Sequence, residues 1–244
     1  MSAPVTHAML LAAGLGTRLR PLTDRLPKPL VPVQGRALID WSIERLEAAG
    51  VTHLVVNLHH LPQLVEAHVR ARWRGHLAFS PEPEILETGG GIRQALPLLG
   101  TAPFYAINAD TIWLDGQIPM LERLARQFDP ARMDALLLCV PTVLAVGYDG
   151  MGDFMMTADG RVTRRPAREV APFVYGGAQL VSPALFKDAP AGKWSVNRLW
   201  DQAIAAGRLH GLRHDGEWFE VGRPQAIGEA ERVLYDLGFR KPPS

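Results

Sequence analysis

A glycine-rich segment followed by two cations is the part of this sequence whose residue types most directly suggest chemistry. The apolar run of residues 8–13 predicts a buried strand, and Gly14-Leu15-Gly16-Thr17-Arg18 follows it directly. Glycines let a backbone approach a phosphate chain closely, so that its amide N–H groups can point at the phosphate oxygens. Arg18 and Lys28 would add positive charge beside a triphosphate, and the prolines flanking Lys28 stiffen its backbone. The segment therefore predicts a phosphate-binding loop rather than a turn with incidental cations.

Two familiar phosphate loops do not fit this segment. The dinucleotide-binding fingerprint requires a third glycine where this chain has Leu19. A P-loop requires Gly-Lys-Ser or Gly-Lys-Thr after four spacer residues, and the segment contains no such run. The loop must therefore belong to another class of phosphate-binding protein.

A carboxylate and a second group of glycines lie further along the chain. Residues 105–110 predict a strand that ends in Asp110, whose oxygens suit Mg²⁺ bridging phosphates, although a helix N-cap is the alternative. Glu87-Thr88-Gly89-Gly90-Gly91 precedes a helical pattern. It suggests a flat surface where a base or ribose lies against the backbone near a helix N-terminus, and a flexible loop is the alternative.

The elements that must position these residues alternate between short apolar runs and helical patterns. We expect strands at 7–13, 54–58, 76–80, 104–108 and 135–140, and helices at 37–49, 61–73, 91–99 and 118–128. This alternation implies a mainly parallel sheet with right-handed crossovers. Because ligands bind at the carboxyl ends of such strands, the loops after Ala13, Asn57, Ser80 and Asn108 should border one crevice.

After Pro141 the pattern changes to shorter strands. These are expected at 152–157, 161–163 and 173–181, with turns at 159–160 and 176–177, followed by helices at 196–206 and 225–237. We expect a Rossmann-like α/β fold in which residues 1–244 form a single domain. About residues 1–140 would bind nucleotide, and a smaller mixed-strand region of about residues 141–244 would bind the acceptor.

Composition narrows the partners. The chain has 26 basic and 25 acidic side chains, a net charge of +1, which favours neither nucleic acid nor an anionic membrane as a partner. No targeting segment is visible, and no run approaches the ~20 apolar residues of a membrane span. The single cysteine, Cys139, excludes an internal disulfide and the usual zinc cages, and is expected to be a core thiol in a cytoplasmic protein.

The phosphate loop resembles the signature of the sugar-phosphate nucleotidylyltransferases, G-x-G-T/S-R-x-x-P-x-T followed by P-K-P. The matching positions are Gly14, Gly16, Thr17, Arg18, Pro21, Thr23, Pro27, Lys28 and Pro29. The resemblance implies a nucleotide site formed by Ala13, Gly14, Gly16, Thr17, Arg18, Lys28, Thr88 and Gly89. It also implies that Arg18, Lys28 and Asp110 carry the reaction.

The run of residues 87–92 further resembles the E-T-G-G-G-I segment of bacterial uridylyltransferases that act on N-acetylmuramate 1-phosphate, which implies uracil as the base. The resemblance places Asn108, Asp153 and Gly177 at the sugar phosphate, and Asp110 and Glu220 at Mg²⁺. The last position departs from the family, because Trp-x-Asp-Val-Gly is replaced here by Trp218-Phe219-Glu220-Val221-Gly222. The extra methylene of Glu220 must fit the strict octahedral geometry of Mg²⁺, directly or through water.

The resemblance implies transfer of UMP from UTP to a sugar 1-phosphate, with N-acetylmuramate 1-phosphate favoured, release of pyrophosphate, and small molecules as the partners. Mannose 1-phosphate with GTP, or glucose 1-phosphate with UTP or dTTP, are alternatives of the same chemistry. A non-catalytic nucleotide- or sugar-sensing module is the alternative of another class. The basic run from Arg161 to Arg168 is expected to be a solvated face, although an anionic acceptor could use one of its arginines. The oligomeric state is left open.

Overall fold

The computed structural model describes residues 4–239, and its centre is a nine-stranded sheet with helices on both faces. The strands are β1 (His7–Leu11), β2 (Pro32–Val33), β3 (Arg36–Ala37), β4 (His53–Leu58), β5 (His76–Pro81), β6 (Phe104–Asn108), β7 (Ile112–Trp113), β8 (Ala135–Pro141), β9 (Ala145–Val146), β10 (Phe154–Met156), β11 (Val162–Arg164), β12 (Phe173–Val181), β13 (Leu209–Arg213) and β14 (Trp218–Phe219). The helices are α1 (Leu38–Ala48), α2 (Pro62–Arg72), α3 (Glu87–Leu99), α4 (Met120–Gln127), α5 (Asn197–Ala205) and α6 (Pro224–Asp236).

The sheet is parallel on one side and mixed on the other. Strands β5, β4, β1 and β6 lie side by side and parallel, so their carboxyl ends share one edge. Strand β12 runs antiparallel to β6 and to β8, and β13 pairs parallel with β8. The hairpin of β10 and β11 extends the sheet from the start of β12. The predicted Rossmann-like α/β sheet is confirmed. The sheet is mixed beyond β6 because β12 runs antiparallel to its neighbours β6 and β8.

Alternating side chains of the central strands build two apolar layers, as the period of two in a strand requires. Leu10 of β1 and Leu136 of β8 face the layer covered by α1, α2 and α4. Met9 and Leu137, their neighbours in the chain, face the layer covered by α3 and α5. Burying one such leucine contributes roughly 1.5–3 kcal/mol. The strands are therefore apolar on both faces, which explains why the sequence shows continuous apolar runs.

A third apolar cluster lies beside the main sheet. It contains the three-stranded sheet β7-β14-β9 and one face of α6, with Phe219, Val221 and Leu234 buried. This small sheet supports Glu220, which directly follows β14.

The expected core thiol is confirmed. Cys139 is buried in β8, and burial raises the pKa of its thiol to about 12. Between residues 4 and 239, no helix combines the length and apolar content needed to cross a membrane.

Two local predictions are wrong. The expected turn at residues 176–177 lies inside β12, where the register against β8 shifts between Tyr175 and Gln179 as a β-bulge. The helix expected at 91–99 begins four residues earlier, at Glu87, so the three glycines belong to the helix and not to a loop before it. Strand β13 was not predicted, and its short run His210-Gly211-Leu212 shows why, because glycine and histidine interrupt the apolar pattern.

Candidate active site

The site lies at the edge shared by the carboxyl ends of the parallel strands, as expected for an open α/β sheet. Two adjoining pockets meet there, and both are lined by Asn108 and Asp110. The strand-end pocket, about 190 Å³, is lined by Leu11, Ala13, Gly14, Asn57, Glu82, Ile85, Glu87, Thr88, Asn108 and Asp110. The bulge pocket, about 210 Å³, is lined by Arg18, Lys28, Asn108, Asp110, Thr111, Tyr148, Val174, Tyr175, Gly177 and residues 218–222.

The phosphate loop is packed tightly against the segment that carries Lys28. Gly16 has a left-handed backbone with φ of 61°, and a Cβ there would lie 2.9 Å from Cβ of Lys28 and 2.9 Å from Cγ2 of Thr23. The hydroxyl of Thr23 donates a 2.9 Å hydrogen bond to the carbonyl oxygen of Gly16. Glycine at this position is therefore needed for both its conformation and its size. The packing holds Lys28 beside the loop.

Two ion pairs join the expected phosphate-binding cations to the expected metal ligands. The ammonium group of Lys28, with a side chain only 13% exposed, contacts the carboxylate of Asp110. Arg18 Nη1 lies 3.3 Å from Oε1 of Glu220. A Cβ at Gly222 would lie 2.9 Å from both Arg18 Nη2 and Glu220 Oε1, so the pair packs closely against this glycine. The structure thus brings together residues separated by 82 and 202 positions in the chain.

Asp110 and Glu220 form a donor set that fits Mg²⁺. This ion is commonly bound by one or two carboxylates together with substrate phosphates and water. In residues 4–239, no group of three or more histidine, cysteine, aspartate or glutamate side chains is arranged to hold a metal ion. Substrate phosphates would therefore have to complete the coordination.

The bulge pocket has an apolar and aromatic wall that sequence reasoning largely missed. Trp218 Nε1 donates a 3.0 Å hydrogen bond to the carbonyl oxygen of Gly176, which holds the bulge of β12 against β14. Gly177 has φ of 77°, and a Cβ there would lie 2.1 Å from Oγ1 of Thr111. The backbone of Gly152 donates to the hydroxyl oxygen of Tyr148 at 2.9 Å. No pattern marked Tyr148, because it lies in an irregular segment.

Asp153 lies behind this wall. Its Oδ2 accepts a 2.9 Å hydrogen bond from the backbone N–H of Tyr175. The structure therefore places Asp153 as a support for the start of β12 and for Tyr175, whose side chain lines the bulge pocket. Burial raises the pKa of the Tyr175 hydroxyl, so this group stays protonated and can donate a hydrogen bond at neutral pH. The expected contact of Asp153 with the sugar stays a prediction.

The strand-end pocket gathers the other expected nucleotide residues. Ala13, Gly14 and Thr88 line it together, although 74 positions separate Gly14 from Thr88. Arg18 lines the bulge pocket, whereas Gly16 and Thr17 line neither pocket, so their assignment to the nucleotide stays a prediction. Sequence reasoning missed Asn57 and Glu82, although Asn57 lies at the end of a predicted strand.

The three glycines at the start of α3 each face another part of the protein. A Cβ at Gly89 would lie 2.2 Å from the ring of Trp194, and one at Gly90 would lie 2.1 Å from the carbonyl oxygen of Gly192. The N–H groups of Gly89 and Gly90 both donate to the carbonyl oxygen of Trp194, at 3.0 and 3.1 Å. These glycines thus let the segment around Trp194 pack onto α3. The assignment of Gly89 to the nucleotide stays a prediction, with its N–H already engaged.

Most of the basic run is engaged away from the two pockets. Arg161 pairs with Asp159 at 2.9 Å, and Arg164 pairs with Asp201 at 2.7 Å. Arg165 donates to the carbonyl oxygens of Gly152 and Glu169, while Arg168 is exposed. These contacts tie the hairpin of β10 and β11 to its surroundings.

Comparisons with known proteins agree over nearly the whole chain. A sequence model of the nucleotidyl transferase family matches residues 7–165. The chain is 45% identical to an N-acetylmuramate alpha-1-phosphate uridylyltransferase of Caulobacter vibrioides, over 96% of this chain and 99% of that protein. It is 36% identical to the protein of the same name in Neisseria meningitidis serogroup B, over 93% and 97% of the two chains. A UDP-glucose pyrophosphorylase solved with UDP-glucose shares the fold, with a TM-score of 0.79, 15% identity, and coverage of 96% and 99%.

Proposed function

The chain belongs to the nucleotidyl transferase family, and on that premise we propose that it transfers UMP from UTP to N-acetylmuramate 1-phosphate and releases pyrophosphate. One observation carries the proposal. The Lys28–Asp110 pair lies where the strand-end pocket joins the bulge pocket, with Gly14 of the phosphate loop lining the first pocket and the Arg18–Glu220 pair lining the second. Phosphate-binding cations and metal-binding carboxylates are therefore concentrated between a site for a nucleoside and a site for an acceptor.

In this proposal the strand-end pocket holds the nucleoside and the bulge pocket holds the sugar. About residues 1–140 then form the nucleotide half of one domain, and about residues 141–244 contribute the acceptor half. Ala13, Gly14, Gly16, Thr17 and Thr88 would contact the nucleotide, and Asn108 and Gly177 the sugar phosphate. The terminal residues 1–3 and 240–244 lie outside the described structure.

The proposed reaction is an in-line attack by an oxygen of the sugar 1-phosphate on the α-phosphorus of UTP. No general base is needed, because the attacking oxygen is already anionic, so positioning and charge stabilisation supply the catalysis. Arg18 and Lys28 stabilise the pyrophosphate as its bond to the α-phosphorus breaks. Asp110 and Glu220 would hold Mg²⁺, which neutralises phosphate charge when it is bound.

Both ion pairs must change partners when substrates bind. Asp110 and Glu220 would hold the metal, and Lys28 and Arg18 would then be free to contact the substrate phosphates. The charges needed for the reaction are then already in place before the substrates arrive, and each is held by a group of opposite sign.

The test is a pyrophosphate-release assay over four nucleoside triphosphates and several sugar 1-phosphates, with and without Mg²⁺. We expect Mg²⁺-dependent release with UTP and N-acetylmuramate 1-phosphate, and almost none from the Asp110→Asn variant. Release confined to GTP with mannose 1-phosphate, or to UTP or dTTP with glucose 1-phosphate, would replace the substrate pair and keep the reaction. Nucleotide binding without release from any pair would instead identify a sensing module.

A further inference from the structure

A buried carboxylate that has no role in the proposed chemistry is part of the lining of the strand-end pocket. Glu82 directly follows β5 and is only 3% exposed. Its Oε1 accepts a 2.7 Å hydrogen bond from Nδ2 of Asn57, and its Oε2 accepts a 2.9 Å hydrogen bond from the backbone N–H of Leu86. Burying a carboxylate is costly unless it is hydrogen-bonded, so both of its oxygens need the partners that they have here.

Asn57 extends this contact to the phosphate loop. It is also 3% exposed, and its Oδ1 accepts a 2.7 Å hydrogen bond from the backbone N–H of Ala12. Because a backbone N–H can only donate, the amide oxygen of Asn57 must face Ala12 and its NH₂ group must face Glu82. The direction of each hydrogen bond is therefore fixed. Ala12 donates to Asn57, and both Asn57 and Leu86 donate to Glu82.

The two backbone groups at its ends directly precede two different segments that line the strand-end pocket. Ala12 immediately precedes Ala13 and Gly14, and Leu86 immediately precedes Glu87 and Thr88. Glu87 begins α3 with φ of 60°, a conformation uncommon for a residue other than glycine. A Cβ at Gly91 would lie 2.6 Å from Oε1 of Glu82, so this glycine leaves the space that the carboxylate occupies.

We propose that Asn57 and Glu82 are positioning residues that lock the phosphate loop to the start of α3, and so set the width of the nucleotide site. This inference rests on the proposed function, because it identifies the strand-end pocket as the nucleotide site. The pair acts through the backbones of Ala12 and Leu86. Its loss weakens nucleotide binding much more than it slows the chemical step.

An exchange of the two functional groups tests this directly. In Glu82→Gln the new NH₂ group faces a donor in either orientation, the NH₂ group of Asn57 or the N–H of Leu86, and in Asn57→Asp two carboxyl groups face each other. In the double variant N57D/E82Q, the carboxylate introduced at position 57 accepts from the N–H of Ala12 and from the amide introduced at position 82. The oxygen of that amide accepts from the N–H of Leu86. The double variant therefore keeps the native number of hydrogen bonds and the native functional groups, with the central bond reversed.

We expect each single variant to raise KM for MgUTP at least tenfold and to change kcat less than threefold, and the double variant to return KM to within threefold of the native value. Amide hydrogen exchange at Ala12 and Leu86 should quicken in the single variants and slow again in the double variant. A matched control is Gln179→Leu, which removes a buried 3.1 Å hydrogen bond to Trp200 Nε1 elsewhere in the sheet. It should lower thermal stability without changing KM.

Native KM in either single variant overturns the proposal. A folded double variant that stays impaired also overturns it, because direct contact of Glu82 with the ligand would then be the better account. A double variant that does not fold overturns it as well, because the reversed hydrogen bonds would not have restored the contact. If the single variants do not fold, the double variant alone decides between these outcomes. The exchange measurement is made on the free protein. It therefore reports whether the Asn57–Glu82 pair holds the backbones of Ala12 and Leu86 even if no substrate pair releases pyrophosphate. That last result would overturn only the proposed function.

Discussion

The strand-end pocket is lined by the ends of parallel strands and the first turn of a helix, whereas the bulge pocket is lined by a bulge, an irregular segment and the small sheet β7-β14-β9. In the lining of the first, Asn57 and Glu82 are buried and joined by a hydrogen bond. In the second, the ion pairs of Arg18 and Lys28 face the pocket and are open to exchange. One pocket is therefore built to keep its shape, while the other is built to exchange charges with its ligands.

The strongest effect is expected at the Lys28–Asp110 pair, where the two pockets meet. Lys28→Ala or Asp110→Ala should lower kcat/KM for pyrophosphate release by about 10²–10³-fold or more, because a fixed charge at the reacting phosphates is lost. Lys187→Ala, at an exposed lysine away from both pockets, is the matched control and should be silent. A folded Lys28 or Asp110 variant with near-native turnover would remove that residue from the mechanism.

The second-largest effect is expected at Glu220, the partner of Arg18, and it tests whether this carboxylate also holds the metal. Glu220→Ala should cost on the order of 10–100-fold in apparent Mg²⁺ affinity or activity. Glu220→Asp keeps the carboxylate and should retain most of the activity with an altered Mg²⁺ dependence. Titration of the initial rate with Mg²⁺ measures both variants. The same Mg²⁺ dependence in Glu220→Ala as in the native chain would show that Glu220 serves only as a partner of Arg18.

A weaker effect is expected from the bulge itself. Gly177→Ala forces an alanine to φ of 77° and a Cβ to 2.1 Å from Thr111, so it should destabilise the fold by more than ~1 kcal/mol and raise KM for the sugar phosphate. KM for UTP should change much less, because the strand-end pocket keeps its own supports.

Gly228→Ala is the matched control for that variant. Within residues 4–239, and apart from the neighbouring backbone of α6 itself, no atom lies within 4 Å of a Cβ at Gly228, so the change should stabilise the protein by about 0.4–1 kcal/mol. Urea denaturation gives both values. An equal rise in KM for both substrates in Gly177→Ala would contradict the independence of the two pockets.

The weakest effect concerns acid stability on the acceptor side. Burial lowers the pKa of His214, which follows β13 and donates a 3.0 Å hydrogen bond from Nε2 to the carbonyl oxygen of Glu217. Its folded-state pKa lies below the value of ~6.5 in the unfolded chain, so the unfolded state takes up the proton first. Its contribution to stability is therefore complete above about pH 6.5 and is lost as the pH falls below that value.

His214→Gln should flatten the fall in the free energy of unfolding between about pH 7 and pH 5, measured by urea denaturation at each pH. The main effect should therefore be on the pH dependence of the free energy of unfolding, with a smaller effect on its value at neutral pH. An unchanged slope would show that His214 takes up its proton as readily in the folded protein as in the unfolded one, or that other groups govern the loss.

Much of the nucleotide half could be predicted from local pattern. The apolar runs of β1, β4, β5 and β6 predicted their strands, and the change after Pro141 predicted a different second half. The interrupted pattern of β13 did not predict a strand, because its stability comes from pairing with β8 and not from its own residues. The Gly-Gly pair at residues 176–177 predicts a turn but lies in a bulge, because the two structures share this local signature.

The phosphate loop, the strand-end location of Asp110 and the family could all be read from the sequence alone, because these depend on residues that are close together in the chain. Only tertiary packing decided that Asn57 and Glu82 join two walls of one pocket, that Gly89 leaves room for Trp194, and that Arg18 meets Glu220. These contacts span 25 positions for the first pair and 202 for the last. Such contacts depend on how elements pack in space, and periodicity along the chain carries no record of which distant side chain will fill the space beside a glycine.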